Sequence, residues 1–124
     1  MIKGIGIDIV EVKRIKDAVS KIGQPFLDRI YTPSEQQYCE LANMPFYRYA
    51  ARFAAKEAFF KALGTGLRYG MRWTDVEVMC DALGRPSLQA YGMALTKLNE
   101  CGADKIWLSM SHDGAYAIAQ VILE

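Results

Sequence analysis

The stretch ARFAAKEAFFKALGTG, residues 51–66, decides how the rest of the chain is read. Alanines and phenylalanines fall on every side of it, so the pattern predicts a helix from Phe46 to Leu63 packed against neighbours over most of its circumference. Gly64 closes that helix as a C-terminal cap, and Gly64-Thr65-Gly66 forms the turn. Glu57 and Lys61 interrupt the apolar pattern, sharing one stripe with Ala50, Phe53 and Gly64. Arg48, Arg52 and Lys56 make a separate basic stripe. An exposed Glu57–Lys61 pair is the plain explanation and would contribute about 0.3–0.5 kcal/mol. On a helix this apolar few faces remain for solvent, and a buried pair seldom adds stability over an apolar replacement. Charges in that setting point to a ligand. Lys56 fits either a helix surface or a ligand contact.

Upstream, IKGIGIDIV is β-branched and punctuated by glycine, which suits a buried strand approached closely by something else. From residue 10 the period changes. Val12, Ile15, Val19 and Ile22 fall on one helical face, Gly23 ends the helix, and Lys13, Arg14, Lys16 and Lys21 lie on its outer surface. Thr32-Pro33-Ser34-Glu35 is a complete capping box with proline at the first helical position, so a helix is expected from there to about Ala42.

Downstream, DVEVMC reads as a strand, DALGRP as a turn and QAYGMALTKLNECG as an amphipathic helix ending at Gly102. KIWLSMSH and AYAIAQVIL alternate as strands, with Asp113-Gly114 between them as a type I′ hairpin signal. Strand, helices, strand, helix and hairpin in this order give an α+β fold with a mostly antiparallel sheet packed on a long helix and shorter helices. No repeat or linker divides residues 1–124, so one domain is expected.

Composition narrows the partners. The 124 residues are 52% hydrophobic, enough for one core, and 15 Lys plus Arg against 14 Asp plus Glu leave a formal charge of only +1. That balance offers no global field for nucleic acid or a membrane surface. Cys39, Cys80 and Cys101 are scattered without CxxC spacing, which argues against a disulfide framework or structural zinc and for a reduced, cytoplasmic setting. The opening apolar run is broken at Lys3 and Asp8, so neither a signal peptide nor a membrane span is read there.

Asp8 is the second anomaly, a carboxylate within an apolar strand that is costly if unpaired. It is either a solvent-facing strand end, or an N-cap for a helix beginning near Val10, or part of a site to which Gly4 and Gly6 give close access. Two carboxylates from different elements, with a lysine and a glycine-rich turn, are the parts of a magnesium–phosphate site. Asp8 and Glu57 are therefore candidate metal ligands, with Lys61 beside them. The Gly-Thr-Gly turn lacks the GK[ST] ending of a P-loop, and GIDIV lacks the residues that follow the aspartate in actin-like ATPases. His112 has no second histidine nearby for zinc. Ser111, His112 and Asp113 cannot form a triad, because neighbours on a strand point to opposite faces.

These segments resemble a known family. GIGIDIVEVKRI, RFAAKEAFFKALGTG, the GRP turn and SMSHDGAYAIAQVILE, in this order over nearly the whole chain, look like holo-acyl-carrier-protein synthase, the small trimeric type of phosphopantetheinyl transferase. The resemblance implies the 4′-phosphopantetheinyl transferase fold as a homotrimer. It also implies transfer of the 4′-phosphopantetheine arm of coenzyme A to a serine of apo-acyl carrier protein, for fatty acid biosynthesis, with release of adenosine 3′,5′-bisphosphate. A non-catalytic coenzyme A or carrier-binding module is the alternative. Asp8, Glu57 and Lys61 would be the catalytic residues, Asp8 and Glu57 holding Mg²⁺ against the coenzyme A pyrophosphate and Lys61 serving as a phosphate contact or a proton-handling group, of which the electrostatic contact is favoured. A water on the metal, Glu57 or Asp8 are the alternatives for taking the serine proton. Gly64, Thr65, Gly66, Arg85 and Pro86 of the GRP turn, Ser111 and His112 would surround the nucleotide in pockets between subunits. Arg85 stands where lysine is common. NMPF lacks the basic residues that some relatives place near the 3′-phosphate, leaving Arg48 or Arg52 as stand-ins. Arg14, with Lys13, Lys16 and Lys21, would form the docking face for the acidic carrier.

Overall fold

In the computed structural model, which describes residues 1–124, the chain runs β1 (Gly4–Glu11), α1 (Val12–Ile22), α2 (Gln24–Ile30), α3 (Pro33–Glu40) and α4 (Pro45–Leu63). A 3₁₀ turn (Trp73–Asp75) leads into β2 (Val76–Cys80) and β3 (Pro86–Ala90), followed by α5 (Gly92–Glu100), β4 (Ile106–Asp113) and β5 (Tyr116–Leu123). The strands form an antiparallel sheet in the order β1-β5-β4 and a separate β2-β3 hairpin. The expected α+β architecture with antiparallel pairing is what the chain adopts.

Helix α4 is the axis of the fold. It lies on the inner face of β1 and β5, and nearly all of Tyr49–Phe60 is buried, with Phe59 and Phe60 almost without exposed surface. Gly64 ends it with φ 78° and ψ 6°, the left-handed cap that costs glycine little. The expected capping box is present too: Thr32 Oγ1 accepts from Glu35 N, and Glu35 Oε1 accepts from Thr32 N.

Gly4 and Gly6 are explained by that packing. A Cβ on Gly6 would sit 2.0 Å from the carbonyl oxygen of Ala58, and one on Gly4 would sit 2.1 Å from that of Ala62. What approaches the strand is therefore the α4 backbone, and small residues on both sides permit it.

Several expectations need correction. β1 runs on through Glu11 and pairs Asp8 with Ala119, so Asp8 caps no helix, and Val10 is a strand residue facing the core. The two-residue period of Gly6, Asp8 and Val10, locked by pairing to β5, overrides the helical spacing there. Only one face of β1 is covered: Ile5, Ile7 and Ile9 are exposed, and so is Ile22 at the end of α1. Helix α2 is a seven-residue element that fully buries just Leu27 and Ile30, with Phe26 partly buried against the core, too short for periodicity to reveal. Gln89 and Ala90 belong to β3, where Leu88 and Ala90 face inward opposite Val78 and Val76, and α5 begins only at Gly92. In the β4–β5 hairpin Asp113 pairs with Tyr116 around Gly114-Ala115. Of those two only Gly114 has positive φ, at 58°, the pattern of a II′ rather than a I′ turn. Finally, the Arg48, Arg52 and Lys56 stripe turns inward, and Lys56 has no exposed surface.

Candidate active site

β1 and α4 bring three of the expected residues together. Asp8 points from the inner face of β1, an edge strand of its sheet, and its side chain is 15% exposed against 53% for that of Lys61. Lys61 Nζ donates to Asp8 Oδ1 at 2.9 Å and to the carbonyl oxygen of Ile7 at 3.1 Å. Lys61 thus pairs across to the strand, and no Glu57–Lys61 ion pair forms. Glu57 is half-buried one helical turn earlier. Burial raises its pKa, the Asp8 carboxylate adds to the rise, and the Lys61 and Arg14 cations oppose it. A half-buried carboxylate whose charge is disfavoured by a second one nearby, with one amine held on that second carboxylate, forms a site that would welcome further positive charge.

The chemistry of this donor set suits Mg²⁺. No group of three or more His, Cys, Asp or Glu side chains assembles anywhere in the chain, so an all-protein cage is not built. Mg²⁺ is ordinarily held by one or two carboxylates together with waters and substrate phosphates, so two carboxylates at an open edge are enough.

A second site lies by the N-terminal half of α4. A cleft of about 180 Å³ is lined by Tyr38, Tyr47, Arg48, Arg52, Ser111 and His112, with Gly84 and Cys80 at its wall. The Arg48 and Arg52 guanidiniums lie 4.1 and 4.5 Å from the centroid of the Tyr38 ring. Arg48 Nη1 donates to Tyr38 O at 2.7 Å, and Arg52 Nη2 contacts Cys80 Sγ at 3.4 Å. Arg52 Nε is buried without any hydrogen-bond partner. A guanidinium that lines a concave surface and keeps an unpaired donor has the chemistry to hold an anion. The Tyr47 and His112 rings meet at 5.0 Å beside it.

Comparison with known proteins gives the family. Residues 4–121 match the model of the 4′-phosphopantetheinyl transferase superfamily. Over its 124 residues the chain is 52% identical to the holo-acyl-carrier-protein synthase of Trichlorobacter lovleyi, covering all of this chain and 98% of that one. The chain belongs to the holo-acyl-carrier-protein synthases of that superfamily. It is accordingly an enzyme of the transferase class. The crystal structure of the Neisseria meningitidis synthase superposes with a TM-score of 0.89 at 46% identity, covering 100% of this chain and 99% of that chain. That of the Helicobacter pylori synthase in complex with coenzyme A gives 0.85 at 31% identity, over 97% of this chain and 99% of that one.

The other residues expected of a synthase lie apart from these clusters. Gly64 and Gly66 are exposed, and Thr65 borders a different cleft with Leu63, Tyr69 and Lys97. Arg52 and Gly64 are twelve residues apart on α4, so about 18 Å separates the two ends. Arg85 is exposed, its backbone N–H donating to Asp81 Oδ1 at 2.9 Å, and Pro86 opens β3. Of the GRP turn only Gly84 reaches the arginine cleft.

On α1, Lys13, Arg14, Lys16 and Lys21 are all exposed. Lys13 is paired with Asp17 at 2.6 Å, whereas the Arg14 guanidinium lies 5.5 Å above the Phe53 ring, on the Glu57 side of α4. Tyr38 beneath the arginines, Tyr47 beside His112 and the Glu35–Lys56 pair escape sequence reasoning. Each depends on a contact between segments whose local patterns carry no sign of it.

Proposed function

We propose that this chain transfers the 4′-phosphopantetheine arm of coenzyme A to a serine hydroxyl of apo-acyl carrier protein in the cytoplasm, acting as a single domain and requiring Mg²⁺. The observation that carries the reading is the convergence of Asp8, Glu57 and Lys61 at the open edge between β1 and α4. The relatives named as holo-acyl-carrier-protein synthases supply the substrates, and coenzyme A occupies the Helicobacter pylori structure. Carriers primed in this way serve fatty acid biosynthesis. The three free cysteines fit a reducing compartment.

Asp8 and Glu57 would hold Mg²⁺, which supplies charge neutralisation on the attacked and leaving phosphate oxygens. Lys61 is half-exposed, so its ammonium can turn from Asp8 to a phosphate oxygen at little desolvation cost. Arg14 and the exposed lysines of α1 present positive charge to an acidic carrier beside the same carboxylates. The serine oxygen bonds to the pantetheine-bearing phosphorus and gives up its proton to Glu57, to Asp8 or to a water beside them, while the pyrophosphate bridge breaks and its oxygen leaves with adenosine 3′,5′-bisphosphate. In-line placement of the serine is the main service of the site.

The arginine cleft suits the 3′-phosphate, with Arg48 and Arg52 standing in for the basic residues missing from NMPF. Within one chain that cleft and the Gly64–Gly66 turn lie at opposite ends of α4. A homotrimer resolves this, because a neighbouring copy can bring its arginine cleft to the carboxylates. The open sheet face of Ile5, Ile7, Ile9 and Trp107 supplies an apolar surface for such contacts.

Incubating the protein with coenzyme A, Mg²⁺ and apo carrier and weighing the carrier by mass spectrometry tests the reading. The carrier should gain the mass of one phosphopantetheine. No gain sinks the transfer, and binding of coenzyme A without turnover, indifferent to Mg²⁺, would favour a non-catalytic module.

A further inference from the structure

Lys56 is the only buried lysine of the chain, and nothing in the proposed reaction uses it. Its Nζ donates to the carbonyl oxygen of Ile30 at 2.6 Å, to Glu35 Oε1 at 2.7 Å and to the carbonyl oxygen of Trp73 at 3.2 Å. Three N–H groups meet three acceptors, so the ammonium is saturated. Glu35 is filled as well: Oε1 also accepts from Thr32 N and Oε2 from Val78 N, each at 2.8 Å. One side chain thus ties α4 to the end of α2, the start of α3, the 3₁₀ turn and β2.

The tie bears on Glu57 in two ways. Lys56 and Glu57 are adjacent on α4, about 100° apart around its axis, so fixing one fixes the direction of the other. The second route runs through Trp73, whose carbonyl Lys56 holds. The Trp73 ring stacks on Phe53 at 5.0 Å and meets Phe60 edge-on at 5.8 Å. Phe53 and Phe60 flank Glu57 at four residues before and three after, on the same side of the helix. Arg14 in turn rests over Phe53. Moving Trp73 would shift both walls beside the carboxylate. Replacing a buried ion pair by apolar side chains is often neutral for stability, so stability alone does not call for this one.

We infer that Lys56 is a positioning residue that holds α4 and the Trp73–Phe53–Arg14 stack so that Glu57 faces Asp8. The inference rests on the magnesium site proposed above. Its test is the double variant Lys56→Met with Glu35→Gln, which leaves no unpaired buried charge. Thermal unfolding reports its fold, and Mn²⁺ binding to the free enzyme, by electron paramagnetic resonance, reports the site without turnover. The expected result is a folded protein whose KM for coenzyme A is little changed, while kcat falls and Mn²⁺ affinity weakens by about 10- to 100-fold. A folded double variant that keeps wild-type kcat and Mn²⁺ affinity overturns the inference. If that variant does not fold, Trp73→Leu, which leaves the ion pair intact, should give the same split, and unchanged kcat with unchanged Mn²⁺ affinity would overturn it equally. Should the wild-type protein transfer nothing yet bind Mn²⁺, the proposed function fails, and the Mn²⁺ comparison still decides the role of Lys56.

Discussion

Lys61 reaches across from α4 to Asp8 on β1, at 2.9 Å, instead of pairing with Glu57 one turn away on its own helix. The consequence is an asymmetric site. Asp8 has a cation of its own, and Glu57 is left half-buried with no ion-pair partner. Helix geometry alone would favour the pairing within α4, so the strand carboxylate has displaced it. A metal ion would supply what Glu57 lacks.

Glu57→Gln should therefore lose transfer while keeping its fold. The amide is nearly isosteric but brings no charge to a cation. Turnover with coenzyme A and apo carrier should fall by at least about 100-fold, the scale for removing one preorganised electrostatic contact to the transition state. Near-normal turnover would remove Glu57 from the metal site.

The same substitution should raise stability near neutral pH when measured with chelator present. Burial and Asp8 raise the Glu57 pKa above its ordinary value in the folded state. A raised carboxyl pKa means that the folded state binds the proton more tightly than the unfolded one. Its contribution is then fully present below the unfolded pKa and is lost as pH rises through the folded pKa. Relative to Glu57→Gln, the wild type should lose stability from about pH 4 upward and then level off. Unfolding in urea across that range checks this, and a gap that widens toward acid instead would contradict it. Added Mg²⁺ should close the gap from the wild-type side only.

Gly6→Ala tests the contact that sets the spacing of the site. The added methyl would lie 2.0 Å from a backbone oxygen of α4, so strand and helix must separate. A loss of about 1–3 kcal/mol is expected from overpacking, read by urea unfolding. Activity should fall further than stability, because Asp8 and Glu57 sit on the two elements being pushed apart. Full activity in a destabilised variant would mean that their separation matters little.

How much of this was legible in the sequence follows from where the information lies. Helix α4, its Gly64 cap, the Thr32–Glu35 capping box and the final hairpin are local patterns, and each is present. That Asp8, Glu57 and Lys61 come together could be anticipated because each charge interrupts an apolar run, but the pairing of Lys61 with Asp8 rather than with Glu57 could not. Short elements are not legible: α2 fully buries only Leu27 and Ile30, and the five residues of β3 fall across the end of the expected GRP turn and the start of the expected helix at Gln89. Lys56 was beyond reach for a different reason. Its three acceptors come from segments near residues 30, 35 and 73, and two of them are backbone carbonyls, which every residue type carries. Glycine at 4 and 6 signalled a close approach correctly, yet only the fold could say that α4, and not a ligand, makes it.

Ile7→Glu tests the open sheet face. Ile5, Ile7 and Ile9 stand on it uncovered, and Trp107 shares the same sheet. If copies assemble there, a carboxylate at its centre should yield monomers by light scattering and abolish transfer, while the outward position leaves the monomer fold intact. A wild-type protein that is itself a monomer would refute the shared pocket outright.

Arg52→Lys separates the two ends of the substrate. Arg52 Nε is buried without a partner, and its Nη atoms reach only the Arg48 carbonyl oxygen, at 3.4 Å, and Cys80 Sγ. Lysine keeps the charge but cannot present a fork of donors, so a bidentate anion contact would be lost. A hydrogen bond to a charged group contributes about 1.5–3 kcal/mol, so KM for coenzyme A should rise on the order of 10-fold or more. Dephospho-coenzyme A lacks the 3′-phosphate, and its KM should not change between the two proteins. Equal losses for both substrates would mean that the cleft supports the fold of α4 and binds no phosphate. A loss confined to coenzyme A would place the Arg52 guanidinium in a phosphate site on α4.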